Sequence, residues 1–210
     1  GGELEYKLMS KMGYHASTIG NHEFDNGIDN ITAQLQHANF DMLNANYDLS
    51  KTSLDGLVKP YQIYEVDGIS IGVFALGVEL EGLVSKKLYG ETKYLNPVEI
   101  AQDQVKVLKN EHSCDLIICL SHLGYSYKSD KISDIKLAEQ TQDIDLIIGG
   151  HTHTFLDKPT EVINKTGQIT LVNQVGWAGL NLGKIDFYFS KEQGQNTKVQ
   201  KSIKKSALNI

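Results

Sequence analysis

The sequence predicts an α/β sandwich around a partly parallel sheet, with no clear division into two domains. Three observations predict it. The middle of the chain alternates helical patterns with short apolar strands, a strong β-hairpin precedes that alternation, and Gly-punctuated β-rich segments follow it. Composition agrees with an ordinary globular protein: 40% of the 210 residues are hydrophobic and 22% charged.

The elements follow in order. Glu3 to Met12 carries Leu4, Leu8, Met9 and Met12 at helical spacing and stops at Gly13, so a helix packed through that apolar face is expected. Ala16 to Gly20 is a short strand, followed by a polar loop and a helix from about Asp29 to Ala38 with Ile31 and Leu35 inward. Phe40 to Ala45 reads as another strand. Tyr61 to Val66 and Ile69 to Leu76 are β-rich runs joined by Asp67-Gly68, the signature of a hairpin turn. Asn96, Pro97 and Glu99 read as a helix cap, first-turn proline and first-turn acid, opening a helix to about Glu111. Leu116 to Leu120 and Leu146 to Ile148 are buried strands, with a helix from Asp130 to Gln140 between them. Glu161 to Val175 and Leu182 to Ser190 are β-rich. Residues 1–190 therefore form one domain, and the polar, Lys-rich residues 191–210 form an edge strand or linker.

Charge and cysteine content exclude several functions. The formal charge is −6, and all 20 basic residues are lysine. An acidic chain without a guanidinium fork is a poor nucleic-acid binder, and any phosphate must be held by other groups. The two cysteines, Cys114 and Cys119, flank one apolar strand on what should be opposite faces, too far apart to bridge. A zinc-cysteine site lacks ligands. No apolar run is long enough to span a membrane.

Three times an apolar strand ends and a histidine follows: at Asn21-His22, at Ser121-His122, and at Gly149-Gly150-His151-Thr152-His153. In an open α/β sheet the carboxyl ends of parallel strands lie along one rim, which would bring four of the seven histidines together. Imidazole nitrogens joined by an asparagine oxygen suit a borderline divalent cation, and the glycines would let the backbone turn sharply enough to aim His151 and His153. Considered singly, each position also has a plain structural use. A lone histidine serves as often in a structural hydrogen bond, Asn21 suits a turn, Asp25-Asn26-Gly27 suits the approach to a helix, Glu23 suits a solvated or supporting role, and Trp177 suits a buried loop anchor. The joint pattern favours a site.

The segments Gly20-Asn21-His22-Glu23-Phe24-Asp25-Asn26-Gly27, Ser121-His122-Leu123-Gly124 and Gly149 to Thr154 resemble the last three motifs of the calcineurin-like metallophosphoesterases. The resemblance is strongest to the branch of 5′-nucleotidases and 2′,3′-cyclic-nucleotide phosphodiesterases, and order and spacing agree from about Gly13 to Ser190. It implies the family's αββα sandwich with a mixed sheet. It also implies that Asn21, His122 and His151 ligate one metal, that His153 ligates a second, and that His22, oriented by Asp25, faces the phosphate. The expected cofactors are two divalent ions (zinc, manganese or iron), and the expected substrate is a nucleotide or related small phosphate ester. A C-terminal nucleotide-binding domain is expected elsewhere, and by resemblance alone the location is the bacterial periplasm or cell envelope.

The resemblance is incomplete. The family's earlier Asp-x-His and Gly-Asp motifs, which supply further ligands to the second metal and the bridging carboxylate, occur nowhere in this sequence. The domain is therefore expected to be truncated at its N-terminus, to hold at most one metal, and to be weakly active or inactive alone. The rival expectation is a non-catalytic remnant that binds a partner or nucleotide without turnover.

Overall fold

The computed structural model describes residues 1–190 and 198–200. Residues 191–197 and 201–210 of the expected tail lie outside the described residues.

Helix α1 (Glu3–Met12) ends at Gly13, whose φ of 80° lies in the left-handed region where glycine carries no Cβ penalty. Its packing differs from expectation: Tyr6 is the buried residue, while Leu4 and Met12 are 65% and 67% exposed. Tyr6 wins because its ring reaches Phe40, 5.9 Å away between centroids, in the cluster that α1 and α2 share with the β1–β2 sheet. Strand β1 (Ala16–Thr18) pairs in parallel with β2 (Asp41–Leu43). Between them lie a 3-10 turn (His22–Asn26), where a polar loop was expected, and α2 (Ile28–Leu35), which buries Ile31 as its spacing requires.

Strand β3 (Tyr47–Asp48) pairs with the later β6 (Lys93–Tyr94), the short helix α3 (Lys86–Tyr89) lying between them in sequence. The expected hairpin is β4 (Tyr61–Val66) and β5 (Ile69–Leu76), in register from Val66–Ile69 to Tyr61–Phe74. Its turn has φ of 53° at Asp67 and 80° at Gly68, the doubly positive geometry that the Asp-Gly pair accepts. Helix α4 (Pro97–Lys106) starts where the Asn96 side chain accepts hydrogen bonds from the Val98 and Glu99 amides, and it continues as a wider turn over Val107–Glu111.

Then follow β7 (Leu116–Ser121), α5 (Asp134–Gln140), β8 (Leu146–Gly149), β9 (Thr160–Ile163), β10 (Ile169–Asn173) and β11 (Tyr188–Ser190). Residue range 198–200 forms β12, antiparallel to β11. Helix α5 begins later than expected because Ser133, not Asp130, caps it. Of the expected 182–190 strand, Tyr188–Ser190 pair as a strand.

A six-stranded mixed sheet in the order β4-β5-β7-β8-β10-β9 organises the fold. Strands β5, β7, β8 and β10 are parallel to one another, and β4 and β9 run antiparallel at the edges. One face buries Phe74, Ile117, Cys119, Ile147 and Val172 against Ala101 and Val105 of α4 and Leu137 and Ala138 of α5. The other buries Val73 and Ala75 against Leu43 of β2. Beyond the β1–β2 sheet, Tyr6 and Ile31 from α1 and α2 pack with Ile19, Phe24 and Met42. The layers are therefore helix, sheet, sheet, helix. Both cysteines are free, but they share the α4/α5 core: Cys114 precedes β7, so strand alternation does not apply to it.

The corrected face of α1 is testable by urea denaturation. Tyr6→Ala should lower stability by about 3 kcal/mol, the loss typical of a truncated buried aromatic, whereas Leu4→Ala should stay within about 0.5 kcal/mol of the parent. Equal losses would restore the Leu4 face.

Candidate metal and phosphate site

Parallel register creates the site. Leu76 of β5 lies opposite Ser121 of β7, which lies opposite Gly149 of β8, so these strands end level with one another. His122 leaves β7 with its amide bonded to the Leu76 carbonyl at 2.8 Å, and His151 leaves two residues after β8. Asn21 arrives from β1, which belongs to the small sheet rather than to the same sheet as the other two. The rim is thus shared between two sheets.

The side chains converge. Asn21 Oδ1 lies 3.1 Å from His122 Nε2 and 3.0 Å from His151 Nδ1. The two imidazoles meet edge to face, 5.2 Å between centroids. Asn21 is buried. Burial pushes the His122 imidazole down to about 4, with the neighbouring histidines 151, 22 and 153 adding to the effect. His151 is lowered for the same first reason, with Lys131 contributing next. Both rings are therefore neutral at physiological pH, the form that offers a lone pair.

The glycines act differently from expectation. Gly149 and Gly150 do not take left-handed conformations; His151 and His153 do, with φ of 68° and 52°. The glycines instead provide space. A Cβ on Gly20 would lie 2.6 Å from the His122 ring, and one on Gly149 would lie 2.1 Å from Asp134 Oδ2. Strained conformations at two non-glycine residues persist only where neighbours impose them. Here the buried Gln174, just past β10, does so. Its Nε2 donates to the Gly150 carbonyl at 2.7 Å, and its Oε1 accepts from the Thr154 amide and, at 3.2 Å, from Thr152 Oγ1. Thr152 Oγ1 also accepts from the Tyr125 amide at 2.9 Å. Sequence reasoning missed Gln174, because a glutamine after a strand carries no signal of its own.

His22 and Asp25 sit one short turn apart, His22 Nδ1 pairing with Asp25 Oδ2 at 2.9 Å. Their side chains are 75% and 60% exposed, so the pair stands open to solvent. Phe24, fully buried between them, anchors the turn. Glu23 supports the loop, accepting the Gly20 amide at 2.7 Å, and burial raises its carboxyl. Trp177 is no buried anchor. It is 57% exposed and stacked on His153. The remaining histidines lie elsewhere, His112 against Tyr61, His15 against Tyr64 and His37 near Glu3.

Two neutral imidazole nitrogens facing one buried amide oxygen make a donor set suited to a borderline divalent cation. Among the described residues no three His, Cys, Asp or Glu side chains cluster to hold an ion. The residues present thus fit one metal and only part of a second site.

Comparison with known proteins then decides the family. The family model described as calcineurin-like phosphoesterase matches residues 2–155. The chain belongs to this family. It is 34% identical over 224 aligned residues to the trifunctional nucleotide phosphoesterase protein YfkN of Bacillus subtilis, covering 91% of this chain and 15% of that protein. It is 36% identical over 158 residues to the 5′-nucleotidase of Vibrio cholerae, covering 71% of this chain and 28% of that one. Among solved structures, the 5′-nucleotidase precursor from Thermus thermophilus superposes with a TM-score of 0.81 at 30% identity, over 96% of this chain and 41% of that one. The calcineurin-like phosphoesterase chain thus spans less than half of each of these relatives.

Beneath the rim, Asp134 is fully buried with Oδ1 accepting from Ser121 Oγ at 2.5 Å, while its Oδ2 has no hydrogen-bond partner among the described residues. Burial raises its carboxyl to about 8, far above the ~3.9 of an unfolded chain. Between these values the folded state holds a proton that the unfolded state releases, so Asp134 makes stability fall as pH rises from about 4 to about 8, by up to ~1.4 kcal/mol per unit. In denaturation curves measured across that range, Asp134→Asn should flatten this slope and gain on the parent steadily toward pH 8. Parallel curves for the two proteins would refute the buried neutral acid.

Proposed function

We propose that this chain carries the metal-holding and phosphate-facing half of a phosphoesterase centre that hydrolyses nucleotides or related small phosphate esters. The observation that carries the reading is the convergence of His122 Nε2 and His151 Nδ1 on Asn21 Oδ1, at 3.1 and 3.0 Å. The family and the names of its relatives, nucleotide phosphoesterases and 5′-nucleotidases, support the substrate class.

Asn21, His122 and His151 would hold one divalent ion, and His153 would contribute to a second. Bound divalent ions supply Lewis acidity toward phosphoryl oxygens and make water nucleophilic at neutral pH. The chain's own groups do the rest. His22, tethered to Asp25, presents its imidazole edge to the open mouth, where a donated hydrogen bond would stabilise phosphoryl oxygens and the departing alkoxide. This arrangement binds phosphate without arginine. Gln174 keeps the loop bearing His151 and His153 in its strained shape, so the ligands are set before substrate arrives.

The relatives' unmatched portions leave room for the C-terminal nucleotide-binding domain expected of this branch, and action outside the cytoplasm, in a bacterial envelope, fits the 5′-nucleotidase relatives. No helix among the described residues is long and apolar enough to cross a membrane.

Two experiments test the reading. Calorimetry with Mn²⁺ or Zn²⁺ should find at most one tight equivalent per 210-residue chain, since two ions about 3.5 to 4 Å apart repel without a bridging carboxylate; two tight equivalents would overturn the ligand assignment. Wherever turnover is measurable, His22→Asn should lower it by about 10²- to 10⁴-fold with little loss of metal, and Asp25→Asn should do so more mildly. His151→Asn should empty the metal site first. If His22→Asn empties it as thoroughly, His22 is a ligand.

A further inference from the structure

The histidine rim has a cationic neighbour in the loop between β7 and α5. Gly124, two residues after His122, has φ of 99°, and a Cβ there would lie 2.3 Å from the Tyr127 hydroxyl and 2.8 Å from Thr152 Cγ2. That space lets Tyr127 fold back, its hydroxyl donating to the Leu123 carbonyl at 2.6 Å. Tyr127 and Thr152, the residue between His151 and His153, thus flank the same small gap. Lys131 Nζ lies over the Tyr127 ring, 4.8 Å from its centroid.

The loop is fastened on both sides. The Gly124 carbonyl accepts the Asp134 amide at 2.8 Å, the Tyr125 amide donates to Thr152 Oγ1 at 2.9 Å, and Lys136 Nζ donates to the Ser129 carbonyl at 3.0 Å and to Asp130 Oδ1 at 3.2 Å. The last bond engages the carboxylate next to Lys131 in sequence, while Lys131 itself forms no ion pair among the described residues. Its charge reaches the site. After burial, it is the largest influence holding the His151 imidazole below its ordinary pKa. Lys131 also lines a cavity of about 420 Å³ with Val78, Glu79, Asn96 and Leu123. Val78 follows the end of β5 by two residues and Leu123 follows His122, so this cavity borders the rim.

We infer that Lys131 is a phosphate-binding residue for the substrate, its ammonium donating to a phosphoryl oxygen beside the Asn21–His122–His151 cluster while the cavity it lines takes the organic part of the ester. The inference rests on the phosphoesterase function proposed above. A chain whose 20 basic residues are all lysine must hold a phosphate dianion with a point charge rather than a guanidinium fork. An ammonium over a ring face turns at most one of its three donors to the ring and keeps the others for an anion. Glu79 on the cavity wall disfavours a second phosphate there and leaves the space to uncharged groups. The sign of the charge gives the role a signature. A cation beside His151 attracts phosphate but repels a metal ion, so its loss should weaken the first and spare the second.

The test titrates the Zn²⁺-loaded 210-residue chain with inorganic phosphate, followed by ³¹P NMR, and separately titrates the metal-free chain with Zn²⁺ by calorimetry. Lys131→Met, which keeps the stem and removes the charge, should weaken phosphate binding by about tenfold, the low end for losing a charge-assisted hydrogen bond. Its Zn²⁺ affinity should be equal to the parent's or higher. Lys131→Arg should bind phosphate within about threefold of the parent. Lys128→Met removes the same charge from the same loop outside the cavity and should bind phosphate within about twofold. Lys131 is exposed, so its variants should fold. Phosphate affinity unchanged in Lys131→Met while His22→Asn weakens it condemns the inference alone. Phosphate and Zn²⁺ weakened together in Lys131→Met mark a merely structural role and overturn it, as does an equal loss in Lys128→Met. A parent chain that takes up Zn²⁺ but binds no phosphate overturns the phosphate-facing reading, and the inference with it.

Discussion

The level register of β5, β7 and β8 is the constraint on which the site depends. Because Leu76, Ser121 and Gly149 sit side by side, the residues that follow them emerge at one height on one rim. A slip of one residue would turn His122 toward the opposite face, since side chains alternate with a period of two. The apolar alternation of the strands, packed on both faces, prevents that slip. Phe74, Ile117, Cys119 and Ile147 point into the α4/α5 core, and Val73 and Ala75 point to the small sheet. Hydrophobic packing many ångströms from the chemistry thus determines where the imidazoles stand.

Two of the six non-glycine residues with positive φ among the described residues lie at this rim. His151 and His153 take left-handed backbone conformations, which cost about 1 to 3 kcal/mol each and are held by the hydrogen bonds of one buried glutamine, Gln174. Close packing works alongside them. Gly20 and Gly149 are needed because the His122 ring and the Asp134 carboxyl occupy the volume a side chain would fill. Asp134 in turn receives the Ser121 hydroxyl, linking α5 to the last residue of β7. The result is a cluster of Asn21, His122 and His151 arranged by the fold itself.

Electrostatics sorts the histidines into two environments. His122 and His151 are desolvated, and burial keeps them neutral, as lone-pair donors must be. His22 stands in water beside the Asp25 carboxylate. The same residue type therefore occupies two environments, one buried and one open to solvent, and the exposure set by the 3-10 turn around Phe24 separates them.

Much of this was legible in the sequence because it depends on local rules. The Asp-Gly hairpin, the Asn96 cap, the apolar strands β7 and β8 and the recurrence of histidine after a strand are all written within windows of a few residues. The motif around Asn21 and the His151-Thr152-His153 pair then pointed to the family. Other features were decided only by contacts between distant segments. Tyr6 rather than Leu4 is buried because Phe40, 34 positions later in the chain, completes its pocket. Cys114 joins the core of Cys119 because the chain turns before β7 begins. Gln174 clamps the histidine loop, and Trp177 stacks on His153, through pairings of β10 and the loop after it with β8 and the loop after that. The sequence by itself determined which elements form and which side chains can do chemistry, since propensity, capping and side-chain type are local properties. Tertiary structure alone decided which of them meet, because that depends on the register and layering of a sheet whose neighbouring strands lie far apart in the chain.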